Sequence, residues 1–113
     1  MSYQVHIARN MRGDLFAETN IEFGAGRLLR ISTHKSSRGM VCSAIAGQAT
    51  AGNGFMYAPF SDFSRTLAAD RAARCTEKTV RTMHAAGLAQ VAELLQAAAA
   101  HYNAAAQFAA VPA

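Results

Sequence analysis

Alternation of apolar and polar positions dominates the first half of the chain. In residues 15–23 the odd positions are apolar or small, and the even positions between them are mostly polar. A similar period of two runs through residues 3–8 and 27–35, with turn-forming residues between the stretches. This period is typical of strands that bury one face. The pattern therefore predicts an antiparallel β-meander over about residues 2–67.

The number of strands in this meander depends on its last third. Residues 40–48 are apolar on both faces, which favours a central strand or one covered by a helix. Asn53-Gly54 is a strong hairpin signal and leads into a short fifth strand. Residues 60–75 combine strand-like alternation with alanine-rich helical propensity. We interpret them as a short sixth strand before a helix that begins between Ala68 and Thr76, so the meander has four to six strands.

From Thr76 onward the period becomes that of an α-helix. Thr76 can cap the helix, and Glu77 lies favourably in its first turn. Apolar residues then recur on one stripe of the helical wheel. The sequence thus predicts an α+β fold in one domain, residues 1–113, with a long C-terminal helix over about residues 76–108 that covers one face of the sheet.

A straight helix of this length would extend beyond the sheet. It would be roughly 50 Å long, whereas a compact domain of this size is roughly 35 Å across. Two arrangements can shield the rest of the stripe: a bend at Gly87, or a second copy of the chain. The sequence interpretation favours a homodimer whose contact is made by Leu95, Ala98, Tyr102 and Ala105.

Composition narrows the class of protein. Hydrophobic residues make up 51% of the chain and charged residues 16%, which excludes a disordered tail. No apolar run reaches the roughly 18 residues of a membrane span, and the first residues lack the pattern of a signal peptide. A cytoplasmic location is therefore expected. Cys42 and Cys75 form no CxxC pair and are expected to be reduced and buried.

The chain carries a net charge of +4, with nine arginines against two lysines. Arginine binds carboxylates and phosphates through its planar fork, so the excess indicates an acidic partner. Two groups of basic residues stand out. The first group is Arg27, Arg30, His34, Lys35 and Arg38, in a predicted hairpin with Arg30 and His34 on its wet face and Lys35 and Arg38 at its tip. The second group is Arg71, Arg74, Lys78 and Arg81, which share one stripe if the helix already includes residue 71. Both groups are either solvated surface charge or a contact for phosphates or an acidic protein surface.

No set of residues in the sequence is typical of catalysis, a metal site or a cofactor site. None of the four histidines has a second ligand three or four positions away. His84 falls on the apolar stripe of the helix and is interpreted as a hydrogen-bonded core residue. The glycines at 24 and 26 lack the third glycine and the following helix of a dinucleotide loop. The protein is therefore expected not to be an enzyme and to need neither a cofactor nor a metal.

Segments 27–35 and 76–84 carry a resemblance of layout, from strand to capped helix, that spans most of the chain. The layout resembles the small accessory proteins encoded by phages and mobile elements of Gram-negative bacteria, which include the anti-CRISPR proteins. This resemblance implies a cytoplasmic protein of a bacterial host cell that blocks a host factor, such as a CRISPR effector or nuclease. It assigns no functional residue. Because many anti-CRISPR proteins are acidic mimics of DNA and this chain is basic, a protein–protein blocking mode is favoured.

Two functions remain open at this point. The favoured one is a binding protein that occludes a host protein with an acidic surface. The alternative is a nucleic-acid-binding module that uses the basic hairpin, although no aromatic residues interleave with these charges as base-stacking platforms require.

Overall fold

The computed structural model describes the backbone of residues 3–24, 26–49, 55–56 and 63–110, and side chains up to Gly47 and from Phe63 to Asn103. Six strands precede two helices along the chain. Their bounds are β1 His6–Arg9, β2 Leu15–Phe23, β3 Arg27–Lys35, β4 Met40–Ala49, β5 Phe55–Met56, β6 Phe63–Asp70, α1 Glu77–Leu88 and α2 Val91–Ala110.

All strands pair antiparallel in a single sheet. Strands β1 to β4 follow one another in space, and β5 and β6 then lie along the same remaining edge of β4. β5 pairs with the end of β4, and β6 pairs with residues 40–46. The predicted meander and the central position of β4 are confirmed. The turn predicted at Asn53-Gly54 lies outside the described residues.

The two faces of the sheet follow the odd and even positions that the sequence predicted. Ala17, Leu29 and Ile31 are fully buried on one face, whereas Glu18 and Arg30 lie on the other and are only half-buried. Both helices pack on the buried face, and no described element covers the other, which we call the open face. The fold is therefore α+β, with an antiparallel sheet packed against helices.

The C-terminal helix differs from the expectation because it is two helices. Thr76 caps α1 as predicted, its Oγ1 accepting the Thr79 N–H at 3.2 Å. The helix stops at Leu88, and the chain turns through Ala89 and Gln90 before α2. Alanine and glutamine are good helix formers, so local propensity does not predict this break. The Gln90 side chain donates to the backbone oxygen of Leu67 in β6 at 3.4 Å, so the residue at the break is hydrogen-bonded to the sheet.

Two of the residues expected to contact a second copy are buried within the chain. The buried apolar residues of α2 belong to the same cluster as those of β3, β4 and β6. Ala98 is 0% exposed and Tyr102 is 2% exposed within the single chain. These two residues therefore offer almost no exposed surface to a second copy, and the homodimer stays a prediction. Leu95 is half-buried and packs against the same core, and the side chain of Ala105 lies outside the described residues.

Candidate functional site: a basic end of the sheet

Three segments that are far apart in sequence meet at one end of the sheet. The β1–β2 turn and the β3–β4 turn line the two sides of one cleft. Gly39, in the second turn, lies directly against the backbone of Asp70, which ends β6, and of Arg71, which begins the loop between β6 and α1. That loop then crosses to the first turn, where the Cys75 thiol donates to the backbone oxygen of Leu15 at 3.2 Å.

These segments, residues 9–14, 35–39 and 70–75, carry the net charge of the protein. We call them the basic end. They contain six basic residues and two carboxylates, a net charge of +4, and the other five basic residues of the chain are balanced by five carboxylates. The six basic residues are Arg9, Arg12, Lys35, Arg38, Arg71 and Arg74, and all are exposed. Among the described residues none of the six forms a salt bridge. The positive potential is therefore concentrated at one end of the molecule.

Both turns of the basic end are held by internal hydrogen bonds. In the first turn, Asn10 Oδ1 accepts the backbone N–H groups of Arg12 at 2.9 Å and Asp14 at 3.0 Å. Arg9 donates to the backbone oxygen of Gly13 at 2.7 Å. In the second turn, Ser36 Oγ accepts the backbone N–H at position 38 over 3.3 Å. Such Asx and serine turns fix the backbone locally. The exposed basic side chains therefore extend from turns whose backbone is ordered.

The structure divides the first predicted basic group. Arg27 and Lys35 lie at opposite ends of the nine-residue strand β3, roughly 26 Å apart at about 3.3 Å per residue. Arg27 stacks on the Tyr102 ring, with the guanidinium carbon 4.5 Å from the ring centroid. Lys35 and Arg38 are exposed at the tip of the hairpin, as predicted.

Arg30 and His34 occupy the open face together, which confirms their predicted placement. His34 is exposed and lies opposite Val41 of β4. Arg30 is engaged within the chain, because its Nε donates to Asn20 Oδ1 at 2.9 Å and lies 3.5 Å from Glu18 Oε1. Arg30 is therefore hydrogen-bonded within the sheet, and it is also a candidate residue for contact with a partner.

The second predicted group is also divided. Since the helix begins at Glu77, Arg71 and Arg74 lie in the preceding loop and the expected four-residue stripe does not form. Lys78 and Arg81 lie on α1 and are exposed, and Arg81 Nε is 3.6 Å from Glu77 Oε2. Only the two loop arginines of this group belong to the basic end.

The sequence interpretation missed three residues of the basic end: Arg9, Arg12 and Met11. They belong to a segment that was recognised only as a turn. Met11 is fully exposed at its tip. The available signal was the presence of two arginines and a methionine in a turn, but the neighbouring turn that makes them significant is more than twenty residues away in the sequence.

A chain of buried polar side chains lies between the sheet and α1. His84 is 1% exposed, its Nε2 is 2.8 Å from Thr19 Oγ1, and its Nδ1 is 2.9 Å from Thr33 Oγ1. The prediction of a hydrogen-bonded core histidine is confirmed. Burial lowers the pKa of His84. Burial also raises the pKa of the neighbouring Cys42 thiol, although a hydrogen bond with Thr33 opposes this shift.

Cys42 and Cys75 are both free thiols, with Cys42 buried and Cys75 half-buried. Within the described residues no three potential metal-ligating side chains cluster together. The same part of the chain contains no helix long and apolar enough to cross a membrane. Comparisons of the chain with protein-family models, with curated proteins and with solved structures find no significant match.

Proposed function

We propose that this protein is a non-enzymatic binding protein that attaches to an acidic surface of a protein partner through the basic end and blocks that surface. The observation that carries this proposal is the location of the charge. Scattered solvated charges would leave a net charge spread over the surface, whereas here six exposed cations from three segments adjoin each other. A concentrated potential of this kind steers an oppositely charged partner toward one orientation.

The side chains of the basic end favour protein over nucleic acid as the partner. Single-stranded nucleic acid is held by rings on which bases stack, and residues 9–14, 35–39 and 70–75 contain no Phe, Tyr or Trp. They present Met11 instead, a flexible apolar side chain fully exposed among the cations. Methionine adapts to irregular protein surfaces, and an apolar residue with a charged rim is typical of protein interfaces.

The buried polar chain supports a non-catalytic function. A nucleophilic cysteine needs its thiolate form and access to a substrate. Cys42 is fully buried, and its pKa is raised by that burial. The neighbouring His84 is enclosed by two threonine hydroxyls. This arrangement joins α1 to the sheet and is unsuited to nucleophilic attack on a substrate.

The resemblance to phage and mobile-element accessory proteins gives the proposal its cellular setting. In that setting the protein acts in the cytoplasm of a bacterial host, and the blocked partner belongs to a host system such as a CRISPR effector or nuclease. A homodimer through α2 is not part of the proposal, because Ala98 and Tyr102 are already buried within the chain.

A nucleic-acid-binding module is the second candidate, and one observation favours it. Phe16 in β2 and His34 in β3 lie on the open face, one position closer to the basic end than the paired residues Ala17 and Thr33. A ring and an imidazole beside a basic patch could hold an unpaired base. In this arrangement the phosphates would lie along the basic end, and binding would fall steeply with salt.

Affinity capture from bacterial lysate, with and without nuclease treatment, tests the proposal. Arg38→Glu with Arg71→Glu should abolish capture, because two of the six cations of the basic end are reversed, which lowers its net charge from +4 to zero. Arg65→Glu with Arg81→Glu changes the net charge equally at exposed sites elsewhere and should leave capture intact. Exposed substitutions usually change stability by under about 0.5 kcal/mol, so both variants should fold. Capture lost on nuclease treatment would favour the nucleic-acid module, and equal effects of the two variants would contradict a localised site.

A further inference from the structure

The two turns of the basic end line a cleft of about 730 Å³ that is open to solvent. Its walls come from the β1–β2 turn on one side and from the end of β3 with the start of the following turn on the other. The lining residues are Asn10, Met11, Arg12, Asp14, Lys35, Ser36 and Ser37. A cleft of this size falls within the range of sites that enclose a small ligand or a few side chains.

We infer that this cleft receives an acidic side chain, aspartate or glutamate, from a segment of the partner protein, with Met11 covering an apolar residue next to it. The inference rests on the proposed function and names the part of the partner that the basic end recognises. Arg12 stands on one wall and Lys35 on the other. An arginine fork and an ammonium group on opposite walls can hold the two oxygens of one carboxylate between them.

The charge balance inside the cleft selects the kind of anion. Two cations, Arg12 and Lys35, are partly offset by the carboxylate of Asp14, which also lines the cleft. The net charge is therefore +1, which matches a single carboxylate. Asp14 repels any anion, but it repels a dianionic phosphate monoester more strongly than a carboxylate, since like charges at close range disfavour each other. The charges that line the cleft would also neutralise only half of the charge of the dianion. The cleft thus suits an acidic peptide segment better than free or protein-bound phosphate.

The hydrogen bonds of the two turns give the cleft a fixed shape before any partner arrives. Asn10 holds one wall by accepting two backbone N–H groups. Ser36 holds the other, since its backbone N–H donates to the Gly39 oxygen at 2.9 Å and its Oγ accepts a backbone N–H. Preorganised loops lose less conformational entropy on binding. A rigid cleft with an exposed methionine at its rim is therefore suited to bind a short segment directly.

A titration followed by amide NMR tests this inference on the full chain. The probe is a short capped peptide in which glutamates surround one leucine, and the control peptide has glutamine in place of every glutamate. The glutamate peptide should shift the amide signals of residues 10–14 and 35–37, and the glutamine peptide should not. Arg12→Gln with Lys35→Gln should weaken binding at least about tenfold, as expected for loss of charge-assisted hydrogen bonds.

Matched variants and probes separate this inference from its alternatives. Arg65→Gln with Arg81→Gln removes the same charge elsewhere and should leave the affinity unchanged. Met11→Ser should weaken the leucine peptide but not a version with serine in place of leucine. Inorganic phosphate or a single-stranded oligonucleotide that binds the cleft in place of the peptide would overturn the inference.

The outcome is also distinguishable from that of the proposed function. The natural partner could still be captured by the Arg12→Gln, Lys35→Gln variant but not by the Arg38→Glu, Arg71→Glu variant. This result would overturn the inference that the cleft is the recognition site, and it would leave the basic end as the binding surface. Loss of capture in both variants, with peptide shifts confined to the cleft, would support both.

Discussion

Gly87 is a buried residue of α1 that lies close against the sheet, and Gly87→Ala provides a sharp test of this packing. Alanine normally stabilises a helix interior relative to glycine by about 1 kcal/mol. Here a Cβ atom on residue 87 would lie 2.5 Å from Cys42 Sγ, 3.3 Å from Leu67 Cδ1 and 3.5 Å from Ile31 Cγ2. Helix propensity therefore predicts that Gly87→Ala stabilises the protein, whereas packing predicts that it destabilises the protein.

The distances decide which effect is larger. Favourable contacts between carbon atoms begin at about 3.5 Å, so the Cβ would intrude by about 1 Å on a sulfur that is buried and hydrogen-bonded to Thr33. Overpacking of this kind costs about 1–3 kcal/mol. Moving α1 outward instead would lengthen the bonds of His84, which lies one turn earlier on the same buried face. Set against the helix-propensity gain of about 1 kcal/mol, overpacking leaves an expected net loss of about 1 kcal/mol, or roughly 5 °C in Tm.

Urea unfolding of a small set of variants measures this loss. Ala86→Gly, at the exposed neighbouring position, reports the local helix propensity and should cost about 1 kcal/mol. Cys42→Ala removes the atom that the new methyl group would strike. Adding Cys42→Ala to Gly87→Ala should therefore recover part of the loss, with a coupling energy of about 1–2 kcal/mol. If Gly87→Ala stabilised the protein by as much as Ala86→Gly destabilises it, the close contact of α1 with β4 would be refuted.

Three further measurements test the fold. Burial lowers the pKa of His84 in the folded state, so at mildly acidic pH the unfolded chain binds more protons than the folded one. The free energy of unfolding should therefore fall as the pH decreases from about 6.5 to the lowered pKa, and then level off. The same pH dependence of the urea midpoint in His84→Asn would contradict this. Gly39→Ala should destabilise by at least about 2 kcal/mol in urea unfolding, because its φ is +82° and a Cβ would strike the Asp70 carbonyl. Arg27→Met should lower Tm by a few degrees, since the stack on Tyr102 is worth about 0.5–1 kcal/mol, while leaving partner capture unchanged.

The sequence alone determined the strands, their faces and the start of the helical region. The alternation in residues 15–23 and 27–35 fixes which side chains face the helices, because a strand has a period of two wherever it lies. The Thr76 cap is equally local, since a hydroxyl and an N–H three residues on satisfy each other within one turn. His84 could be assigned to the core because it falls on an apolar stripe.

The tertiary structure decided where the second half of the helical region goes. Neither Ala89 nor Gln90 is a residue that ends a helix by itself. A bend at Gly87 was only one of the two arrangements that the sequence left open, the other being a second copy of the chain. The break is fixed by distant partners: the Gly87 backbone lies on Cys42, and Gln90 donates to the backbone of Leu67. Such contacts depend on packing between segments more than twenty residues apart, which the period of a single helix does not encode.

The tertiary structure also decided the candidate site. The sequence grouped basic residues by nearness along the chain, and β3 then carried Arg27 and Lys35 to opposite ends of the sheet. Arg12 joined Lys35 instead, because antiparallel pairing brings alternate turns to the same end of a meander. Local sequence therefore specifies the elements and their buried faces, whereas strand register and helix packing specify which charged side chains become neighbours.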